Sequence, residues 1–397
     1  LMEQKTIIVK DEIDGPDGKP QMVINATETT AAQEKAESMQ ARFAEWVWED
    51  PERAKGLVDE YNTRFNNIVL RDYSAAGDYL TLPGMAETFT PRPHQRAAVA
   101  RMIAEPSTGL FHEVGAGKTA EAIMGAMEMR RMGLISKPLI VIPNHMLAQF
   151  SSEWLQIYPQ ARILAASSKD VTADKRRSFV ARAAANDWDG ILLTQSAFSK
   201  IPLRQSTQQD YIRGQVFELK RVLENADHDD VMSVKRIQRK LVNLENKLKE
   251  RLDTSRDVGV CFEDTGIDYL VIDELHMYKN LTTESNIADA AIDGSVRASD
   301  LDMKLTYLRE QGRERVVTGM TATPISNSIS EAFVMQKYLR PDLLKAAGVQ
   351  AFDAWAATFG ETSTDMEMSP TGSFRLKTRF SRFTNVPEML RMWSTFA

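Results

Sequence analysis

The sequence holds a single cysteine, Cys261, among 397 residues. One thiol excludes any internal disulfide framework. With only five histidines and no Cys/His cluster, the sequence also offers no structural zinc pattern. No apolar run is long enough to cross a bilayer, and the first residues lack the basic-then-apolar order of a signal peptide. No membrane partner is expected, and the setting is read as cytoplasmic. Positive charge is also scarce. Lys and Arg number 49 against 55 Asp and Glu, for a net charge of −6. That disfavours a protein that coats nucleic acid with a broad basic surface, but not a motor whose track contacts are few and local. Internal repeats and low-complexity tracts are absent. What is present is a 43% hydrophobic, 26% charged chain, the composition of a globular protein with a large core. It begins at Leu1 and ends inside a helical pattern, Val386 to Ala397, which reads as a piece of a longer polypeptide.

Along the chain, Thr6 to Asn25 alternate around a turn-rich tip at Gly15 to Pro20, predicting a β-hairpin. From Thr30 to Asn66 the period is helical, divided by Pro51, with Phe43, Trp46, Val47, Leu57 and Tyr61 expected as buried anchors. Short apolar runs then alternate with helical segments: Gly109 to His112, Leu139 to Ile142, Ile163 to Ala166 and Ile191 to Thr194. The theme resumes at Tyr269 to Asp273 and at Arg315 to Thr318. This order predicts an α/β fold with a parallel sheet flanked by helices. Between the two stretches, Thr207 to Ser255 carries apolar residues at spacings of three and four, interrupted by Asn225 to Asp230. It reads as an inserted helical hairpin. The expected division is an N-terminal hairpin-plus-helix extension over 1–88, an α/β lobe over 89–340 with the insertion at about 205–256, and a C-terminal tail over 341–397 with a second hairpin around Ser369 to Gly372.

The chemistry is concentrated in two segments. His112-Glu113-Val114-Gly115-Ala116-Gly117-Lys118-Thr119 follows a short apolar strand and opens a helix, the context of a phosphate-binding loop. Glycines let backbone N–H groups turn onto phosphate oxygens, and the helix N-terminus adds its dipole. Val114, Gly115, Ala116, Gly117, Lys118 and Thr119 are the expected nucleotide contacts. Lys118 is assigned to the β- and γ-phosphates and the Thr119 hydroxyl to Mg²⁺. The full loop pattern wants glycine where His112 stands. The second segment, Asp268 to His276, is a buried strand that delivers Asp273-Glu274 at its carboxyl end, the edge at which parallel sheets bind ligands. Asp273 is expected to hold Mg²⁺ and Glu274 to act as general base.

These motifs carry a family resemblance. Asp273-Glu274-Leu275-His276 resembles motif II of superfamily 2 helicases, and Thr321-Ala322-Thr323 resembles motif III. Arg92-Pro93-His94-Gln95 resembles the adenine-reading element of SNF2-like motors. Ile140 to Asn144 and Thr194-Gln195-Ser196 resemble motifs Ia and Ib. Relaxation of the first loop glycine to His112 fits the same superfamily. Leu82 to Met85, Val141 to His145, Thr323 to Ser328 and Phe352 to Gly360 are similar to the helicase region of very large phage and mobile-element proteins, in which a helicase is often fused to a DNA methyltransferase. The resemblance spans Trp46 to the C-terminus.

The resemblance implies a RecA-like lobe binding ATP and Mg²⁺, with Gln95 at the adenine edge and Arg92 or Phe89 flanking the base. His276, Thr321 and Thr323 would couple nucleotide state to movement. Pro143, Asn144, Thr194 and Ser196 would hold DNA phosphates without reading sequence. It also implies a second lobe supplying an arginine finger. No second-lobe motif follows Pro341, so weak ATP binding and poor turnover are expected of this piece alone. Arg375, Lys377 and Arg379 alternate with Phe374, Leu376 and Phe380, a basic face that could meet a phosphate backbone or simply be solvated. Two other readings are a P-loop ATPase that remodels proteins and an inactive docking module. The resemblance to the adenine reader and motif III speaks against the first, and intact Lys118, Thr119, Asp273 and Glu274 against the second.

Overall fold

A computed structural model describes residues 7, 9–14, 20–66, 69–224, 238–239, 241–242, 245–246, 259–283, 285, 294–326, 329–368 and 374–397. At the N-terminus, β1 (Lys10–Asp14) pairs antiparallel with β2 (Pro20–Ile24) as the alternation predicts. Helix α1 (Ala26–Glu49) follows, capped by the Asn25 side chain accepting from the Glu28 N–H at 2.9 Å. Asp50 then caps α2 (Pro51–Tyr61), whose first residue is the proline that divides the two helices.

Here the expected burial holds only in part. Phe43, Trp46 and Leu57 are exposed, Val47 and Tyr61 are half-buried, and Phe65, in a π-helical turn continuing α2, is buried against Phe359. Phe43 and Trp46 instead stack on each other, and the Arg53 guanidinium lies over the Trp46 ring at 3.6 Å. Periodicity marks which helical face is apolar. It does not say whether another element covers that face.

The lobe itself is a six-stranded sheet, every pairing parallel, built from β3 (Ser107–Leu110), β4 (Pro138–Ile142), β5 (Ile163–Ala166), β6 (Gly190–Thr194), β7 (Tyr269–Asp273) and β8 (Val317–Met320). Their spatial order is β3-β8-β7-β4-β6-β5. This is the parallel α/β arrangement that the strand–helix alternation predicts.

Two strands begin two residues away from expectation. At β3 the buried residues include Ser107 and Thr108, polar side chains that the search for apolar runs placed outside the strand. At β8 the strand starts after Arg315, whose guanidinium donates to Met102 O at 2.6 Å and Ile103 O at 2.8 Å, closing the end of a neighbouring helix.

Around the sheet lie α3 (Ser74–Asp78), α4 (Pro93–Ala104), α5 (Lys118–Arg131), α6 (Leu147–Ile157), α7 (Ala173–Ala185), α8 (Gln195–Phe198) and α9 (Gln205–Glu224). Later come α10 (Val296–Glu310) and α11 (Ser330–Leu339). One apolar cluster fills each face of the sheet. Leu139, Val141, Leu270 and Ile272 point into one, and Ile140, Ile142, Tyr269 and Val271 into the other. A strand covered on both sides reads as an unbroken apolar run, which is why these strands were visible in the sequence.

Helix α9 is the first arm of the expected insertion. Tyr211 anchors it to α10 by donating to Asp302 at 2.6 Å. Most of the second arm lies outside the described residues. The segment after Pro341 is more than a tail. Trp355 and Phe359 join Phe65, Phe333 and Met392 in a third apolar cluster. Phe396 is fully buried, and its carbonyl accepts from the Gly109 N–H at 2.6 Å, so the C-terminal residues cover the outer edge of β3. The second hairpin forms as β9 (Gly360–Met368) and β10 (Phe374–Phe383), with its tip outside the described residues.

Candidate active site

Five of the motifs singled out in the lobe leave the same edge of the sheet, and the sixth, Arg92 to Gln95, opens α4. The phosphate loop follows β3, Thr321 follows β8, Glu274 follows β7, Asn144 follows β4 and Ser196 follows β6. Because the strand order is β3-β8-β7-β4-β6, segments far apart in sequence become neighbours along one rim. Parallel strands put all their carboxyl ends on that rim.

The loop has the backbone that phosphate binding demands. Gly115 and Gly117 hold φ of 85° and 91°, in the left-handed region that a side chain resists. A Cβ on Gly117 would also drive into the Gln95 side chain. Lys118 opens α5, and its ammonium lies across the loop, donating to His112 O at 2.8 Å and Glu113 O at 3.0 Å. Val114 is exposed at the loop's outer turn, and Thr119 is half-buried one residue into the helix.

Gln95 is not where the adenine reading puts it. It is buried, its carbonyl oxygen accepts from the Arg92 N–H at 2.8 Å, and its amide donates toward Gly117 O at 3.3 Å and Ala116 O at 3.4 Å. Donor and acceptor are both turned onto protein, so Gln95 braces the phosphate loop from the start of α4. Arg92 is exposed at the same helix start, and Phe89 is half-buried against the core.

At the end of β7, Asp273 accepts from the Glu274 N–H at 3.0 Å. Burial first, and the Glu274 carboxylate second, push the Asp273 carboxyl up to about 6, against the pull of Lys118 and His145. Those opposing effects place Asp273 within electrostatic reach of the phosphate-loop lysine. Glu274 has φ of 53°, a left-handed backbone at a residue with a full side chain. Strain of this kind persists where surrounding structure enforces it.

Beyond it, His276 Nδ1 lies 3.0 Å from the Glu274 carboxylate and 3.0 Å from Thr321 Oγ1. Thr321 is fully buried, and its hydroxyl accepts from the Thr323 N–H at 3.1 Å. The three residues assigned to coupling therefore form one connected chain from the acidic pair to the segment after β8. A second bridge runs beside it. Lys279 donates to Ser326 Oγ at 2.8 Å and pairs with Glu331 on α11 at 2.9 Å.

The expected track contacts divide into two groups. Asn144 Oδ1 accepts from Ser196 Oγ at 2.7 Å and from its N–H at 3.3 Å, and Thr194 caps α8 beside them. Asn144, Thr194 and Ser196 thus form one polar cluster on the rim, with Pro143 preceding Asn144 in the chain. Gln195, between two of them, donates to Asp273 O at 3.3 Å. Arg375, Lys377 and Arg379 are not part of the rim and belong to the separate two-stranded ladder. Their register sets Arg375 opposite Glu367, Lys377 opposite Asp365 and Arg379 opposite Ser363.

Sequence reading missed several residues of the site. Glu121 is fully buried on α5 and bonds His112 Nδ1 at 2.9 and 3.0 Å. His94 meets the loop at Ala116 O, 3.0 Å away. The available signal for Glu121 was a carboxylate, one of two with Glu128, in the Ala/Met-rich run from Ala120 to Met129. A charge is rarely buried unless paired, so its partner had to be sought nearby. Gln195 was marked only as the middle of the Thr194-Gln195-Ser196 segment, and Lys279 and Glu331 carried no comparable mark.

Comparison with known proteins agrees with the motifs. A family model described as a probable helicase domain matches residues 102–397, and the chain belongs to that family. A second model, a domain of unknown function, matches residues 1–67. The chain is similar to the protein named defense against restriction protein B of Escherichia phage P1, with 23% identity over 90% of this chain and 18% of that protein. It therefore spans about a fifth of that relative's length. Among solved structures, a Sulfolobus solfataricus SWI2/SNF2 ATPase core in complex with dsDNA aligns at a TM-score of 0.38 with 16% identity, covering 68% of this chain and 40% of that one. The ATPase core domain from the same organism aligns at a TM-score of 0.37 with 14% identity, covering 74% and 42%.

Proposed function

We propose that this chain is the ATP-binding first lobe of a DNA-dependent ATPase that moves along or remodels DNA. The observation that carries the reading is the group at the sheet's rim, in which Lys118 lies within electrostatic reach of Asp273, Asp273 accepts from the Glu274 N–H, and His276 touches both Glu274 and Thr321. Membership of the helicase family supports it. So does the fit of the residues to the ligand. The loop backbone and the Lys118 ammonium suit a polyphosphate. A threonine hydroxyl and a buried carboxylate are the hard oxygen donors Mg²⁺ takes. Thr119 and Asp273 would hold that ion, which when bound supplies neutralising charge at the phosphate oxygens.

In this reading the loop amides and Lys118 bind the β- and γ-phosphates, while Gln95 fixes the loop that presents those amides. Glu274 accepts the proton of the attacking water as its oxygen bonds to the γ-phosphorus. The bond to the bridging oxygen breaks and ADP leaves. His276, touching both Glu274 and Thr321, passes the state of the acidic pair to the segment after β8. The Asn144–Ser196 cluster meets one strand's phosphates, which positions DNA without selecting a sequence. Residues 89–340 make up this lobe, with 1–88 as an extension. A second ATPase lobe and a DNA methyltransferase domain in the parent polypeptide belong to the same reading, as does a role in a phage or mobile-element system.

The test is His276→Ala in the parent protein. ATP binding should stay within about threefold of the unmodified protein, and stimulation of ATP hydrolysis by double-stranded DNA should fall by roughly tenfold or more, the loss of a positioned hydrogen-bonded relay. Stimulation that survives unchanged would remove His276 from the coupling path.

A further inference from the structure

Three side chains that the proposed chemistry leaves unused converge beneath the phosphate loop. Glu121 is fully buried on α5, one turn past Lys118. His112, at the loop's start, places Nδ1 at 2.9 and 3.0 Å from the two Glu121 oxygens, so it donates there. His94, from the start of α4, places Nε2 at 3.0 Å from Ala116 O and 3.8 Å from the Glu121 carboxylate. The two imidazoles pack edge to face with centroids 5.7 Å apart. The group thereby joins the first residue of the loop, its tip, the helix behind it and the helix beside it.

Peptide geometry gives this arrangement a consequence. The peptide unit is planar and trans, so its C=O and the following N–H point in opposite directions. Whatever holds Ala116 O toward α4 turns the Gly117 N–H away from α4. The hydrogen bond from Glu121 N to Gly117 O, 3.2 Å, turns the Lys118 N–H in the same manner. His112 O is also one of the two carbonyls that hold the Lys118 ammonium. We propose that Glu121, His112 and His94 act as one positioning unit that fixes the amides and the lysine of the phosphate loop for a polyphosphate ligand. His112 stands where a phosphate loop ordinarily has glycine. Its imidazole reaches a buried carboxylate there that no glycine could satisfy, and a carboxylate so buried needs a partner. This proposal rests on the nucleotide-binding reading of the same loop.

The experiment is calorimetric titration of the 397-residue chain with ATP in excess Mg²⁺. His112→Ala should weaken binding by about tenfold, the loss of one charge-assisted hydrogen bond. His112→Asn, whose amide N–H can occupy the Nδ1 position, should recover most of that loss. His94→Ala should weaken binding too, and the double variant should lose no more than about the larger single loss, because the residues act as one unit. An unfolding midpoint recorded for each variant separates loop positioning from general destabilisation. If His112→Asn binds as poorly as His112→Ala, or the losses are fully additive, the unit is overturned while nucleotide binding stands, provided Lys118→Ala still abolishes it. No ATP binding by the unsubstituted chain would overturn both.

Discussion

Glu274→Gln in the parent protein should leave ATP affinity within about twofold and cut ATP turnover by roughly 10²- to 10⁴-fold, the range for removal of a positioned general base. The substitution keeps the shape of the side chain and one acceptor oxygen toward His276 Nδ1, 3.0 Å away, while removing the basic carboxylate. It also relieves part of the repulsion that raises the Asp273 carboxyl, since the Glu274 charge contributes to that shift. Asp273 should therefore titrate lower in the variant, which favours its ionised form and holds metal at least as well. Binding and turnover should separate cleanly as a result. Loss of both together would instead point to collapse of the turn at Glu274, whose left-handed backbone leaves little tolerance. Binding is read by titration and turnover by phosphate release.

Lys118→Ala should weaken ATP binding on the order of a hundredfold, the loss of charge-assisted bonds to two phosphates. The same side chain also spans the loop through His112 O and Glu113 O at 2.8 and 3.0 Å. Its removal takes a brace from the loop as well as a charge from the ligand, and both effects act in one direction. The fold should tolerate the change, because the Lys118 side chain is only partly buried and lies at the rim, outside the core clusters. An unfolding midpoint within a few degrees of the parent is expected alongside the lost binding.

Much of the lobe was legible because its strands are buried on both faces. Leu139 to Ile142, Tyr269 to Asp273 and Ile191 to Thr194 appear as mainly apolar runs, and their boundaries were found to within a residue. Where a buried strand contains polar residues, as at Ser107 and Thr108, the run is broken and the boundary slips. The strand-to-helix turn at Gly115 to Thr119 and the strand end at Asp273-Glu274 were legible because glycines mark a tight turn and an apolar run ends at the carboxylates. Burial of α1 and α2 was not, since the apolar stripe of Phe43, Trp46 and Leu57 has no covering element among the described residues.

The orientation of Gln95 was equally beyond reach. An amide can face a base or a loop carbonyl, and only the geometry distinguishes the two. The same limit hid Glu121. Its partner His112 lies nine positions earlier, beyond any helical period, and the two meet only because the loop folds back over the start of α5. The basic alternation in β10 was read correctly as a strand, but the acidic residues opposite it come from β9 through the register, which the alternation alone does not reveal.

The most direct measurement of the central claim is the steady-state ATPase rate of the parent protein as double-stranded DNA is titrated in, with Lys118 intact and with Lys118→Ala. A nucleotide site whose acidic pair is linked through His276 to the rim that meets DNA predicts a saturable rise in rate with the intact lysine and no activity without it. A rate indifferent to DNA, or activity that survives loss of Lys118, would contradict the account.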